Sequence, residues 1–479
     1  MLPQGRIKYL DRFPRQAGTG ILMDWAATAE KYLRVFFDIK GSGNALPLCK
    51  MLQVKTSGGY QGPLFTAPAY VGGGPVDAPG EALTCLGALL SASLSPNKKD
   101  YEEFIRQGRA YMSRINGFGV VSNLVDTGGG ELRQSFWYDI FPSMLYIMIG
   151  AYRPQDAQWE RDVKEIADTW LHVAKRLNGD WEHIGYSLKK DAPADPRGGM
   201  ESDAAIGVAY VLLAAYQRFG DETYLRSARS LIEWAGALDY NPNYEILGSF
   251  GPYIAARIQA MTGADCHLDR MLQYVFTGTS GTREGWGMIA ETWGDYDAYG
   301  LYGSTTDTVG YAFAMNTFMT AAALAPVARY APWYAREIAR YLLHVRRNSA
   351  LFFPGGLPPE MQSQPDWIAE TGIECISYEG VRRCGRTVPY ATGDHCLDMT
   401  PYGAWGSGVM AALFPGGRDD ILIADLSAID PLSSGKCLMI YNPGSETRSM
   451  ELPQGLRYDI LTKRETPALA ELAPGTLMV

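Results

Sequence analysis

The sequence predicts a mainly α protein: an (α/α)6 barrel over residues 1–415, followed by a small β-sandwich-like domain over 416–479. Two observations carry this prediction. Apolar segments that read as buried helices alternate with amphipathic segments of similar length, about six times between residues 24 and 413. Near residue 420 the texture changes. ILIADL, KCLMIYN, TRSMEL, GLRYDIL and GTLMV are short strand-like runs separated by Asp, Pro and Gly turns.

Taken in order, helical periodicity places segments near 24–37, 79–93, 99–116, 137–151, 156–178, 201–218, 221–238, 247–262, 265–276, 308–326, 331–347 and 403–413. Most come as pairs joined by short turns. The segment DAAIGVAYVLLAAYQRF (203–219) is apolar nearly all round and reads as an inner helix. After Gly220-Asp221, DETYLRSARSLIEWAGAL carries its charge on one face, as an outer helix does. YAFAMNTFMTAAALA (311–325) and WYAREIARYLLHVRR (333–347) repeat that contrast. Alternation of this kind closes a ring of hairpins, although no sharp residue-level repeat accompanies it. The first twenty residues and the Gly/Pro-rich stretch 56–80 read as ordered loop.

Composition excludes several classes of function. The chain has 479 residues, 47% hydrophobic and 20% charged, which is ordinary for a globular protein with a large core. Its net charge of −9 argues against nucleic acid or an anionic membrane surface as the main partner. No apolar run approaches the roughly 20 residues of a membrane span. The N-terminus has basic residues but no apolar core segment, so it does not read as a signal peptide. The seven cysteines are dispersed and odd in number, which fits reduced thiols and a cytoplasmic setting, or a periplasmic one if a signal peptide has been removed. Cys375, Cys384, His395 and Cys396 lack a CxxC pair, so no metal and no cofactor is expected. Whether the chain self-associates is left open.

The stretch 281–311 is dense in acids and rings. It holds Glu284, Glu291, Asp295, Asp297 and Asp307 together with Trp286, Trp293, Tyr296, Tyr299, Tyr302 and Tyr311. Flat rings stack on the apolar faces of pyranoses, and carboxylates bind hydroxyls and exchange protons, so this composition suits a sugar-binding cleft. Four further places stand out. Glu201 and Asp203 lie at the mouth of an apolar helix, where capping is the competing explanation. Tyr244 and Glu245 precede a helix that carries Arg257. Trp137, Tyr138 and Asp139 form either a stacking platform or ordinary core. Tyr378, Glu379 and Asp394 occupy a polar, glycine-bearing loop. Asn316 adds a lone amide to an inner apolar helix, where it needs a partner.

EGWGMIAETWGDYDAYGLYGSTTDTVGYAFAMNTF, NPNYEILGSFGPYIAARI, ESDAAIGVAYVLLAAYQRFGDETYL and NSALFFPGGLPPEMQ resemble a bacterial group of six-hairpin glycosidase-like, carbohydrate-active proteins, over roughly residues 70–450. The resemblance implies an (α/α)6 barrel with a C-terminal β-domain. In that group the acidic pair reads Glu-Pro-Asp, whereas Ser202 stands between Glu201 and Asp203 here. The C-terminal domain also ends early.

The expected activity is hydrolysis of an oligosaccharide, uronic-acid-containing ones included, by two carboxyls flanking the scissile bond. Glu201 or Asp203 would pair with Glu291 or Asp297. Trp137, Trp286 and Trp293 would stack sugar rings, with Tyr138, Tyr244, Glu245, Tyr311, Asn316, Tyr378 and Glu379 completing the binding surface. Arg257 and Arg283 would meet a substrate carboxylate. A polysaccharide lyase or sugar epimerase on the same scaffold is the alternative, with Tyr244, Tyr311 or Tyr378 as base. A non-catalytic carbohydrate-binding protein is the third reading.

Overall fold

The computed structural model describes residues 4–18, 20–43, 46–71, 80–125, 135–153, 155–195, 200–278, 286–304, 310–362, 364–383, 389–392, 399–416, 418–430, 435–456 and 458–479. Helices dominate it. In chain order they are α1 (Trp25–Phe36), α2 (Ala82–Leu94), α3 (Glu102–Gln107), α4 (Phe136–Ala151), α5 (Ala157–Leu177), α6 (Ala204–Phe219), α7 (Glu222–Ala237), α8 (Gly251–Thr262), α9 (Leu268–Thr277), α10 (Ala314–Leu324), α11 (Val327–Tyr330), α12 (Ala335–Asn348), α13 (Pro365–Thr371), α14 (Pro401–Ala404) and α15 (Gly406–Leu413).

The helices divide as their sequences do. Every residue of α10 is buried, and so is nearly every residue of α2 and α6. In α5, α7 and α12 one face is buried and the other carries the charge. Packing neighbours form a cycle. α2 packs on α4, α4 on α6, and α6 on α8 and on the single 3-10 turn Leu247–Phe250 before it. α10 packs on that turn, α15 on α10, and α15 again on α2. The amphipathic helices back this cycle: α5 lies on α4 and α6, α7 on α6, α9 on α8, α12 on α10, and α1 on α15.

Local chemistry sets the hairpins. The α6–α7 turn needs a left-handed residue, which Gly220 supplies at φ 72°, and Asp221 then caps α7 by accepting from Thr223 N–H at 2.8 Å. Asp156 caps α5 in the same way, through Gln158 and Trp159 N–H.

Several expectations change. The stretch 99–116 is α-helical only over α3, flanked by 3-10 turns Lys98–Tyr101 and Gly108–Tyr111. Met112–Ile115 instead pairs antiparallel with Phe118–Val121 around Asn116 and Gly117, both at positive φ. An Asn-Gly pair between apolar runs favours this tight turn over a helix. The stretch read as loop from residue 56 contains strand Gln61–Thr66, paired with Lys50–Lys55. The aromatic stretch is partly sheet. Strands Tyr390–Thr392, Gly380–Arg382, Tyr311–Phe313, Tyr302–Ser304 and Trp286–Met288 lie in that order, all antiparallel. Short apolar runs interrupted by glycine hide such strands from periodicity.

Toward the C-terminus, Leu422–Asp425, Leu438–Tyr441 and Leu477–Met478 form one small sheet, and Arg448–Glu451 pairs with Leu469–Leu472. Strand 422–425 alternates its side chains. Leu422 and Ala424 enter the main core, while Ile423 joins Ile421, Ile440, Ala470 and Leu472 in a separate small one.

Candidate functional site

Three segments that arise far apart in the chain meet at one end of the helical cycle: the start of α4, the turn entering α6, and the turn 241–248. Glu201 and Asp203 join them. Both are wholly buried. Glu201 Oε2 accepts from Trp137 N–H at 2.9 Å, at the first turn of α4. Asp203 Oδ2 accepts from Tyr244 N–H at 3.0 Å and from Gly248 N–H at 3.1 Å. Asp203 Oδ1 is buried with no hydrogen-bond partner among the described residues. Burial pushes the Asp203 carboxyl well above the usual carboxylate range. The two amides oppose that rise, and the Glu201 and Glu245 carboxylates add to it. Asp203 is therefore a cap for the 244–248 turn, not for its own helix.

Between the two clamped amides sits Glu245, half-buried and with a left-handed backbone at φ 48°. That conformation costs a non-glycine residue about 1–3 kcal/mol and persists only where the surroundings fix it. Its charge reaches Asp203, Tyr302 and Tyr402. Below the turn, Asn243 Nδ2 donates to the Tyr302 hydroxyl, and Ser249 pairs with Thr320 Oγ1 at 2.8 Å. Asn316 lies one helical turn before Thr320 on α10. It is fully buried, and neither its amide oxygen nor its nitrogen has a hydrogen-bond partner among the described residues.

On the α4 side the helix carries Pro142, which has no N–H to give to the Tyr138 carbonyl. Asn123 N–H takes that carbonyl at 2.9 Å, while the Asn123 side-chain oxygen accepts from Leu83 N–H at 3.0 Å at the start of α2. This link brings Glu81, the residue before α2, beside Asn123. Burial raises the Glu81 carboxyl and the Asn123 amide holds it partly down. Asp139 follows Tyr138. Burial pushes its carboxyl up to about 7, the Ser122 hydroxyl opposes that rise and Glu201 adds to it. Asp139, Glu201, Asp203 and Glu245 thus form one chain of mutually interacting acids.

A wall of rings faces them. One face of the five-stranded sheet bears Trp286, Tyr311 and Phe313. Phe313 stacks on Tyr311 at 6.0 Å and on Tyr402 at 5.8 Å, and Trp286 meets Phe313 at 6.5 Å and Tyr244 at 6.0 Å. Tyr402 opens α14, where the Thr400 side chain caps its N–H at 2.9 Å. The charges of Glu81 and Glu245 and the rings of Tyr138 and Tyr70 surround the Tyr402 hydroxyl. Tyr70 also donates to Glu379 Oε1 at 3.2 Å.

The sequence-predicted residues fall into two groups. Glu201, Asp203, Trp137, Tyr138, Tyr244, Glu245, Trp286 and Tyr311 come together here, and Glu379 joins them through Tyr70 and the sheet. Tyr378 is fully buried at the end of that sheet and bridges Met399. Trp137 is turned into the core, on Phe141, so Tyr138 is the accessible ring of that pair.

The remaining predicted residues lie elsewhere or outside the described residues. Glu291 is engaged by Arg383 and by the Trp293 indole N–H, both at 2.9 Å. Trp293 is fully buried and offers no face to a sugar. Asp297, on the hairpin Thr292–Trp293/Tyr296–Asp297, packs on Gly18 of the N-terminal arm, and burial alone raises its carboxyl. Neither Glu291 nor Asp297 is among the groups that shift the Asp139 and Asp203 carboxyls. Arg257 is buried at the far end of α8 against Asp430, Tyr253 and Tyr330, where a substrate carboxylate has no access. Arg283 and Asp394 lie outside the described residues.

Glu81, Phe313, Tyr402 and Tyr70 are not among the sequence-predicted residues, and Asp139 was singled out only beside Trp137 and Tyr138. A proline four residues after Tyr138 was the one signal that the start of α4 is exceptional. Of the cysteine and histidine set, Cys384, His395 and Cys396 lie outside the described residues, and among the described residues no group of three metal-ligating side chains occurs. The described cysteines Cys49, Cys85, Cys266, Cys375 and Cys437 are all free and buried. No described helix is long and apolar enough to cross a membrane.

No family model matches the chain, and no curated protein matches it. Among solved structures, the crystal structure of D-mannose isomerase is similar at a TM-score of 0.47 and 10% identity, over 85% of this chain and 96% of that one.

Proposed function

We propose that the cycle of inner helices is an (α/α)6 toroid and that the protein is a glycoside hydrolase acting on an oligosaccharide at the end where Asp139, Glu201, Asp203 and Glu245 gather. One observation carries this reading. A carboxyl raised to about 7 and a half-buried carboxylate on a left-handed residue share a site walled by stacked rings. Glycosidases use such a division, with one carboxyl protonated and one ionised. Asp139 would give its proton to the leaving glycosidic oxygen. Glu245 would act from the other side, on water or on the anomeric carbon. Trp286, Tyr244 and Tyr138 would stack the sugar. Arg382, whose guanidinium lies 5.0 Å over the Tyr311 ring, is the cation placed to meet a uronate.

Elimination or epimerisation asks for a base that takes a proton from carbon. The Tyr302 and Tyr402 hydroxyls both feel the acids, but burial and those acids keep them protonated. That weighs toward hydrolysis. The test is a panel of neutral and uronate-containing oligosaccharides, with products separated by mass. A product heavier by one water supports hydrolysis. A product of unchanged total mass carrying a double bond means a lyase, and an isomer carrying solvent deuterium means an epimerase. Binding without any product means a carbohydrate-binding protein.

A further inference from the structure

The tripeptide Glu201-Ser202-Asp203 touches both halves of the site. We infer that Glu201 and Asp203 are positioning residues: two carboxylates on one turn that set the α4 start bearing Asp139 against the 244–248 turn bearing Glu245. The inference rests on the hydrolase reading above for what the two acids do, and on geometry alone for the clamp.

Four observations support it. Both residues are wholly buried, as a structural tie requires. Both carboxyls accept from backbone amides: Glu201 Oε2 from Trp137 N–H, and Asp203 Oδ2 from Tyr244 and Gly248 N–H. The amides clamped by Asp203 bracket Glu245, the residue whose left-handed backbone needs outside support. Finally, the tripeptide is itself anchored. Glu201 N–H donates to the His183 carbonyl at 2.9 Å, and Ser202 Oγ pairs with the Tyr240 hydroxyl, which in turn donates to Glu182 at 3.0 Å. Residues two apart at a helix mouth point in different directions, so this spacing suits a two-way tie better than a reacting pair.

The experiment compares Asp203→Asn, Asp203→Ala and Glu201→Gln with Asp139→Asn. An asparagine carbonyl can still accept both amides, so Asp203→Asn should keep activity within roughly 10-fold of the parent, whereas Asp203→Ala should lose roughly 10²-fold in kcat. Asp203→Asn and Asp203→Ala should retain the fall of activity near pH 7 that belongs to Asp139, whereas Glu201→Gln should move it to lower pH, because the Glu201 charge helps raise that carboxyl. Formate or azide should not rescue Asp203→Ala. An Asp203→Asn as inactive as Asp139→Asn while folded, or rescue of Asp203→Ala by formate, overturns the inference. Hydrogen exchange at the Tyr244 and Gly248 amides reads the clamp without any substrate. Both should be protected in the parent and in Asp203→Asn and exposed in Asp203→Ala. Protection unchanged in Asp203→Ala refutes the clamp, while absence of turnover in the parent with this exchange pattern intact refutes only the hydrolase reading.

Discussion

At the scale of single residues, a carboxyl's role follows from what its oxygens touch. Burial and the nearby Glu201 charge push the Asp139 carboxyl up to about 7, so on the hydrolase reading it is the acid that loses its proton as pH rises through about 7. The alkaline limb of kcat/KM should therefore fall near pH 7, and Asp139→Asn should lose activity by roughly 10²-fold or more together with that limb. A limb that stays in the variant would remove Asp139 from the acid role. Arg257 makes the contrasting case. Its guanidinium and the Asp430 carboxylate are both buried and are braced by Tyr253 and Tyr330. Removing one partner strands the other's charge, so Arg257→Met should cost about 3–5 kcal/mol in denaturant unfolding, and the double variant Arg257→Met/Asp430→Leu should recover much of it.

At the scale of elements, two breaks in regularity build the site. Pro142 frees a carbonyl of α4, and Asn123 uses it to tie α4 to α2. The five-stranded sheet owes its close packing to glycine. A Cβ at Gly380 would overlap the Ala312 carbonyl of the paired strand and the Tyr311 ring. Gly380→Ala should consequently destabilise the protein by about 1–3 kcal/mol. It should also weaken sugar binding, because the strand it displaces bears Tyr311 and Phe313. Unchanged melting and unchanged ligand affinity would show that the sheet gives way at no cost.

At the scale of the whole molecule, the N-terminal arm closes over the outer helices. Phe13 packs on His344 of α12 at 5.1 Å and on Tyr299 at 5.5 Å, and His344 Nε2–H donates to the Pro14 carbonyl at 3.1 Å. Burial lowers the His344 imidazole to about 4, below its usual 6.5. The folded protein then binds fewer protons than the unfolded chain between those values, so stability is full above about pH 6.5 and falls as pH drops toward 4, by about 3 kcal/mol. His344→Gln keeps a donor for Pro14 without a titrating ring, and it should flatten that acid limb in thermal melts. An acid limb unchanged in the variant would assign the effect to other groups.

Much of this was legible in the amino-acid order. The contrast between α6 and α7, with Gly220 and Asp221 between them, fixed a buried helix against an amphipathic one, because apolar period and capping chemistry are local. The same locality marked Glu201, Asp203, Tyr244, Glu245 and Trp286 as unusual for their surroundings. Which acids stand together was not local. Asp139 meets Glu201 across 62 residues and Tyr402 meets Glu81 across more than 300, and no periodicity links such partners. Glu291 and Asp297 read as catalytic candidates where Asp139 did not, yet an arginine engaged one and the N-terminal arm covered the other. Residue type set what chemistry each side chain could perform; burial and backbone partners, which exist only once the helices have packed, decided which carboxyls were tied to amides and which faced the rings.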